Sequence, residues 1–248
     1  MVRALWSVCL VGVWLFWSGM AQAGALADRL AAFPQWQNKP TVEVATGDLI
    51  YPEWLAGTWD VTSQLVDLAA PFAPDVVTPG FDSNRQYLNQ PVTFQVRFTR
   101  ASLAPTPTIA AKSLTPSTPV IADRAFNGLN LAIAYFGKRT VLSVKVDPTS
   151  PNRQITTLRG DRRLVSVITG RATESPTPDQ FITTELFKQV FRGAPQLYFN
   201  QVETTTAYEF HPSDPTPIRA DQVTAVYLSP QDANYFKTGD RPVALYRY

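Results

Sequence analysis

The chain alternates between polar and apolar residues over many short segments, as half-buried antiparallel strands do. In the clearest segment, from 92 to 99, Val92, Phe94, Val96 and Phe98 share one face, and polar residues occupy the other. Pro, Gly and Asp residues that favour turns separate these segments. The pattern predicts nine strands, at about 58–68, 92–99, 119–123, 140–147, 153–159, 163–173, 196–209, 221–229 and 241–248.

Three segments instead carry apolar residues at helical spacing. A short helix is predicted over 25–33, and a longer one over about 124–136, between Asp123 as cap and Gly137. A third is predicted over 178–192, where Thr177 could cap the helix and Pro178 suits its first position. The two longer helices are the ones expected to plug an open barrel end.

The N-terminal 23 residues have the features of an export signal. Arg3 precedes an apolar run, and Ala21-Gln22-Ala23 matches a small-x-small cleavage site. We therefore expect an exported protein that starts at Gly24, with an uncleaved anchor as the alternative. The predicted organisation is a signal peptide over 1–23, a lead-in over 24–56 and one domain over 57–248, with a Pro-rich loop over 102–119.

Composition restricts the chemistry open to the trimmed chain. The only Cys and both Met residues fall within the leader, and His211 is the single histidine. Thiol catalysis, disulfides and ordinary zinc sites are therefore excluded after trimming, and we predict no cofactor and no catalytic residues. The 22 basic and 20 acidic residues nearly balance, which gives no argument for a nucleic-acid partner or an anionic membrane surface.

Gly57-Thr58-Trp59 stands at the start of the first strong strand. This G-x-W resembles the entry signature of the calycin and lipocalin superfamily. The resemblance implies that Trp59 packs at the closed end of a barrel against an arginine of a late strand, either Arg241 or Arg247. The expected fold is thus mainly β: an antiparallel lipocalin-like barrel of eight to nine strands with two short helices.

A second resemblance covers nearly the whole trimmed chain. It is similar to an uncharacterised family of exported cyanobacterial and plastid proteins, a domain of unknown function. The resemblance implies an address in the periplasm or the thylakoid lumen, and it brings no activity or catalytic residues. Six runs carry it, at 51–59, 123–128, 152–154, 203–206, 221–224 and 228–232.

A barrel of this size encloses room for one small ligand, or fills that room with its own side chains. The leading hypothesis is a binding protein for a hydrophobic lipid, isoprenoid or pigment. Phe94, Phe98 and Trp59 would contact its apolar part, and Arg85 or Arg124 would anchor its polar end. Structural Asp–Arg pairs are the alternative explanation of both arginines.

Two other functions stay open at this point. One is an accessory or assembly factor that binds a photosynthetic membrane-protein complex. The other is a lipocalin-type enzyme that modifies a pigment or lipid, which the lone histidine and the absence of cysteine disfavour.

Overall fold

A computed structural model of the protein describes residues 24–101, 118–193 and 197–248. The predicted leader and most of the predicted 102–119 loop lie outside these residues. The helices are α1 (Ala25–Ala31), α2 (Phe81–Asn84), α3 (Arg124–Phe136) and α4 (Tyr235–Thr238), with 3-10 turns at Glu53–Leu55 and Arg85–Tyr87.

The described residues also contain thirteen strands. The first six are β1 (Glu43–Val44), β2 (Ile50–Tyr51), β3 (Gly57–Gln64), β4 (Asp67–Ala69), β5 (Pro91–Arg100) and β6 (Val120–Ala122). The other seven are β7 (Val141–Asp147), β8 (Ser150–Leu158), β9 (Arg162–Glu174), β10 (Gln180–Arg192), β11 (Tyr198–Phe210), β12 (Ile218–Leu228) and β13 (Ala244–Arg247).

The strands form two antiparallel sheets. The large sheet has the order β4-β13-β12-β11-β10-β9-β8-β7, with β1 added along β9, and the small sheet has the order β2-β6-β5-β3. Each of the nine predicted segments contains an observed strand, so the mainly antiparallel β fold is confirmed. The helices predicted over 25–33 and 124–136 are also present, as α1 and α3.

The helix predicted over 178–192 is wrong, because these residues form β10 in the middle of the large sheet. Both faces of β10 are covered over residues 181–185, so its apolar residues do not alternate strictly and the helical spacing is accidental. Its β-branched and aromatic residues, among them Ile182, Phe187 and Val190, favour a strand. Thr177 begins the turn before β10, accepting a hydrogen bond from the Gln180 amide at 3.2 Å, and caps no helix.

No closed barrel is found among the described strands, because none joins β5 to β7. Helix α3 packs against both of these strands instead. Its Asn127 side chain accepts a hydrogen bond from the Arg97 amide (2.6 Å) and donates one to the Arg97 carbonyl (3.1 Å). The helix thereby occupies the edge of β5 where a strand would otherwise pair.

A glycine permits this close helix position. A β-carbon at Gly128 would lie 2.7 Å from the Gln154 side chain and 3.0 Å from Val144. The start of α3 is fixed by Asp123, whose side chain accepts a hydrogen bond from the Phe126 amide, as the cap prediction required.

The outer face of the large sheet is covered by the N-terminal segment. Leu26 and Leu30 of α1, together with Trp36, pack on a fully buried set of strand residues, and the Leu26 amide donates a hydrogen bond to Glu174 at 2.8 Å. That set includes Val223, Ala225, Tyr227 and Leu245, all 0% exposed. The lead-in is therefore part of the packed core.

Beside this apolar contact lies a buried polar network centred on Glu203, which is 0% exposed. Arg29 of α1 donates two hydrogen bonds to its carboxylate, at 2.6 and 2.7 Å. Tyr227 and Thr205 donate further hydrogen bonds to the same carboxylate, at 2.6 and 2.8 Å. The Arg29 guanidinium also stacks 3.8 Å from the Trp36 ring. A buried carboxylate with this many donors is fully compensated.

The inner face of the large sheet turns towards the small sheet, and two apolar clusters join them at opposite ends. We call them the upper cluster and the lower cluster. The upper cluster contains Leu65, Phe81, Val202, Val226 and Tyr246, among others. The lower cluster contains Leu55, Phe98, Val120 and Phe181, with Tyr51, Trp59 and Tyr208 packed against it.

Removing Arg29 should destabilise the fold strongly. An Arg29→Met variant leaves the Glu203 charge buried without its partner, which typically costs about 3–5 kcal/mol in the free energy of unfolding. Urea unfolding followed by circular dichroism measures this loss. The matched control is Arg219→Met, because Arg219 forms an exposed pair with Asp214 and such pairs contribute at most about 1 kcal/mol.

A second variant tests the cause. Adding Glu203→Gln to Arg29→Met removes the uncompensated charge and should restore part of the lost stability. A double variant no more stable than Arg29→Met would show that lost packing, rather than the buried charge, explains the effect.

Candidate functional site

The inner face of the large sheet, between the two clusters, carries polar side chains that are only partly buried. Thr204 on β11 and Gln222 and Thr224 on β12 are partly exposed there. Their neighbours on the outer face of the same strands, such as Thr205 and Val223, are 0% exposed. The middle of this sheet is therefore more accessible from inside the fold than from the side covered by α1.

The small sheet, which faces this region, also carries partly buried side chains. Val61 and Ser63 of β3 and Val92 and Phe94 of β5 share the face that joins the clusters at either end, and all four are partly buried. No described residue of α3 is fully buried, although the helix lies between two strands. We call the region between these walls the inner site.

A buried group of charged residues borders the inner site on β9, β10 and α3. Arg124, at the start of α3, donates a hydrogen bond to the Glu185 carboxylate at 2.8 Å. Arg171 lies 3.1 Å from the same Glu185 oxygen and donates to Asn152 at 2.7 Å. The side chains of Arg124, Arg171 and Glu185 are 14%, 11% and 11% exposed.

Two guanidinium groups thus share one buried carboxylate, and the Arg171 Nε has no hydrogen-bond partner among the described residues. The nearby Asp48 carboxylate is solvent-exposed and lies beyond ion-pair distance of Arg124 among the described contacts, but its charge helps to raise the pKa of Arg124. The Arg171 Nε is closed to solvent, and the Arg171 Nη1 already donates to the Thr46 and Gly47 carbonyls. An additional anion or carbonyl oxygen would therefore have to meet this group at Arg124.

Two tyrosines of the lower cluster lie close to these charges. Burial, reinforced by Tyr208 and Glu185, raises the pKa of Tyr51 well above its ordinary value. Burial also raises the pKa of Tyr208 to about 12, against a hydrogen bond with Thr206 that lowers it. Both hydroxyls consequently stay neutral near physiological pH and can donate hydrogen bonds.

The structure brings four of the five predicted site residues to this region. Phe98 lies in the lower cluster, with its ring 4.8 Å from that of Tyr51. Trp59 packs on the same cluster and donates a hydrogen bond to the Leu55 carbonyl at 2.8 Å. Phe94 lies on the same face of the small sheet, and Arg124 belongs to the charged group.

Arg85 is elsewhere. Its side chain is 61% exposed, lies 3.5 Å from Asp82 and stands over the Phe81 ring. The expected partner of Trp59 also differs, because Arg247 pairs with Asp221 and Arg241 stands over the Phe72 ring. His211 is on the surface, with 40% of its side chain exposed.

Sequence reasoning missed Arg171, Glu185 and Tyr51. Glu185 was hidden because 178–192 reads as a helix, which places this residue on a polar helical face. The β10 register pairs Glu185 with Arg171 directly across the sheet. A strand assignment with opposite charges in register is the signal that could have identified the pair.

Two surface cavities are present as well. One of about 310 Å³ is bordered by Leu142 and the β8–β9 turn, and one of about 350 Å³ lies between Trp36, Phe72 and Arg241. Neither is lined by the predicted site residues. Within the described ranges, no three His, Cys, Asp or Glu side chains are grouped to hold a metal ion, and no helix is long and apolar enough to cross a membrane.

The comparisons with known proteins identify one sequence family. A family model described as "Domain of unknown function (DUF6816)" matches residues 43–248. The search of curated proteins and the search of solved structures each gave no match.

The buried tyrosines predict a loss of stability in alkali. The folded protein holds the pKa of Tyr208 at about 12, whereas an unfolded tyrosine ionises near pH 10. The stabilisation is complete below about pH 10 and falls by up to about 1.4 kcal/mol per pH unit for each such group between the two values. Urea unfolding across this range measures the slope. Tyr208→Phe should reduce it, and identical slopes in the two proteins would contradict the assignment.

Proposed function

The chain belongs to the DUF6816 family, whose function is unknown, and we propose that this member is a non-catalytic binding protein for a small amphiphilic molecule. The observation that carries the proposal is the partly exposed inner face of the large sheet between two buried apolar clusters. Burial on that face is uneven: Thr206 and Glu185 are only 4% and 9% exposed, whereas Thr204 and Thr224 beside them are partly exposed.

The apolar part of the ligand would lie along the small sheet. Val61, Val92 and Phe94 present partly buried apolar surface there. A lipid, an isoprenoid or a pigment has an extended apolar body that matches such a wall. The proposed arrangement is lipocalin-like, with helix α3 closing the wall that a strand would close in a barrel.

The polar end would lie at Arg124. Arg124 and Arg171 share the single buried Glu185 carboxylate, so these three side chains have a net charge of one positive unit, which the exposed Asp48 carboxylate only partly offsets from outside. A carboxylate or a carbonyl oxygen fits these donors, and a guanidinium can hold a carboxylate through two hydrogen bonds. We propose that the ligand is an acid or a ketone rather than a plain hydrocarbon.

The address forms part of the same proposal. The predicted leader favours export to a periplasm or a thylakoid lumen, where an apolar small molecule needs a carrier to cross water. Binding without catalysis is consistent with the residue types around the site. The candidate group consists of arginine, glutamate and tyrosine, and the known nucleophile–base pairs require Cys or His in most cases.

Substituting Arg124 should weaken anionic ligands selectively. We expect Arg124→Gln to bind a dansyl-labelled fatty acid roughly 10- to 100-fold more weakly, since one charge-assisted hydrogen bond contributes about 1.5–3 kcal/mol. The corresponding dansyl alcohol should bind the variant and the wild type alike. Glu185 retains Arg171 as its partner in this variant, so the fold should persist, which a melting curve checks.

Arg85→Gln is the matched control, because it removes the same charge from an exposed position. The proposal fails if the wild type binds neither probe. It also fails in its choice of anchor if Arg85→Gln weakens the fatty acid as much as Arg124→Gln does.

Filling the inner site should abolish binding at little cost in stability. A Thr224→Phe variant places a ring among the partly exposed residues of the inner face, and we expect its free energy of unfolding to stay within about 1 kcal/mol of the wild type. The control, Val223→Phe, adds the same ring to the closed outer face of the same strand, where Val223 is 0% exposed and overpacking costs about 1–3 kcal/mol or more. Equal destabilisation by both variants in urea would show that the inner site is packed solid.

A further inference from the structure

Six basic residues that form no ion pair within the described ranges lie together at one end of the large sheet. Lys138 and Arg139 lie between α3 and β7, Arg159, Arg162 and Arg163 lie around the β8–β9 turn, and Arg192 ends β10. All six are exposed. We call this set the basic end.

Backbone contacts hold the three segments together. The Arg159 amide donates a hydrogen bond to the Thr140 carbonyl at 2.8 Å, and its side chain donates to the Arg139 carbonyl at 3.1 Å. Arg163 and Arg192 are directly opposite in the β9–β10 register. Gly193 lies against the Asp161 carbonyl so closely that a β-carbon would approach it to 2.3 Å. The six cations therefore form one surface.

These cations differ from most of the other arginines in the described residues. Arg29, Arg97, Arg124, Arg153, Arg171 and Arg247 all pair with carboxylates. Within the described residues, no member of the basic end lies within 4 Å of an acidic group. Asp161 is the one acidic residue in these three segments, and Asp232 lies beyond them, near Tyr198. Crowded like charges repel, which favours an anionic partner.

Large apolar side chains protrude beside the same charges. Phe136, at the end of α3, is 57% exposed, Leu142 at the start of β7 is 58% exposed, and Leu197 before β11 is 54% exposed. Leu142 also borders the cavity of about 310 Å³ with Arg159, Arg162 and Arg163. Exposed apolar groups of this size, set among cations, are typical of surfaces that contact lipid.

We propose that the basic end binds the surface of an anionic lipid bilayer. The arginines and lysines would contact the negatively charged headgroups, and Phe136 and Leu142 would enter the boundary between headgroups and acyl chains. A nucleic acid or an acidic polypeptide would satisfy the cations but would leave these side chains in water.

The near balance of charge in the whole chain favours one orientation of the protein on the membrane. Because six basic residues gather at one end of a nearly neutral protein, the rest of the surface is net acidic. The same bilayer attracts one end and repels the other, so the protein would be held with its β8–β9 turn towards the membrane. This inference does not depend on the ligand proposed for the inner site.

Sedimentation with lipid vesicles tests the proposal. The exported protein, purified from the periplasm of a host, is mixed with vesicles of equal parts phosphatidylglycerol and phosphatidylcholine, and with vesicles of phosphatidylcholine alone. We expect binding to the anionic vesicles that weakens with added salt, as charge screening requires. Equal binding to both kinds of vesicle, or none to the anionic kind, would overturn the proposal.

A triple variant, Lys138→Gln, Arg139→Gln and Arg163→Gln, locates the surface. Each charge near a membrane contributes about fivefold in affinity, so the three together should reduce binding about 100-fold. The matched control removes three exposed charges elsewhere, through Arg85→Gln, Arg100→Gln and Arg219→Gln. An equal loss in the control would show that net charge, rather than this surface, is responsible.

A double variant, Phe136→Ser with Leu142→Ser, separates lipid from other anions. It should weaken vesicle binding without changing the net charge, while melting curves confirm that the fold is intact. If the wild type binds polyglutamate more tightly than the anionic vesicles, and the double variant binds vesicles normally, the basic end serves an acidic protein partner and the lipid proposal is wrong.

Discussion

The ion pair between Arg29 and Glu203 is the contact on which the arrangement of this protein depends. A carboxylate in the middle of a sheet, 0% exposed, is tolerated only with its charge compensated. The compensation comes from a helix that precedes the sheet by many residues and lies flat on its outer face. Because Tyr227 and Thr205 complete the same network, the position of α1 is fixed by polar geometry as well as by the packing of Leu26 and Leu30.

Because α1 covers the outer face, the apolar core of the protein is not confined to the inner face. The hydrophobic burial that stabilises the fold is divided among the α1 contact and the upper and lower clusters. The residues between those clusters, such as Thr204 and Thr224, can then remain polar and partly exposed. A sheet with a single core has no such freedom, because every inward residue must contribute apolar surface.

The strands were predictable because turn residues and alternation are local signals, and Asp123 and Gly137 marked α3 equally well. The β10 strand was not, because a central strand that is covered on both faces over part of its length loses its alternation, and Pro178 with Gln180 imitates a helix start.

The absence of a closed barrel also could not be predicted from the sequence. Helix α3 lies between β5 and β7, and its Asn127 side chain bonds the Arg97 backbone where a strand would otherwise pair. This contact joins segments through tertiary packing and has no local sequence signal. Of the candidate site, Arg124 was identified from its place at a loop edge, whereas Arg171 and Glu185 meet only once the β9–β10 register is known.

Because α1 is packed on the sheet, the folded unit of this protein begins before the segment that the family model matches. The family model matches the chain from residue 43, whereas the segment that covers the sheet begins before it, with Leu26, Arg29 and Trp36. The matched segment and the unit that folds therefore have different boundaries in this protein. A fragment cut at the family boundary would keep every strand and still expose Glu203 and the floor of apolar residues around it.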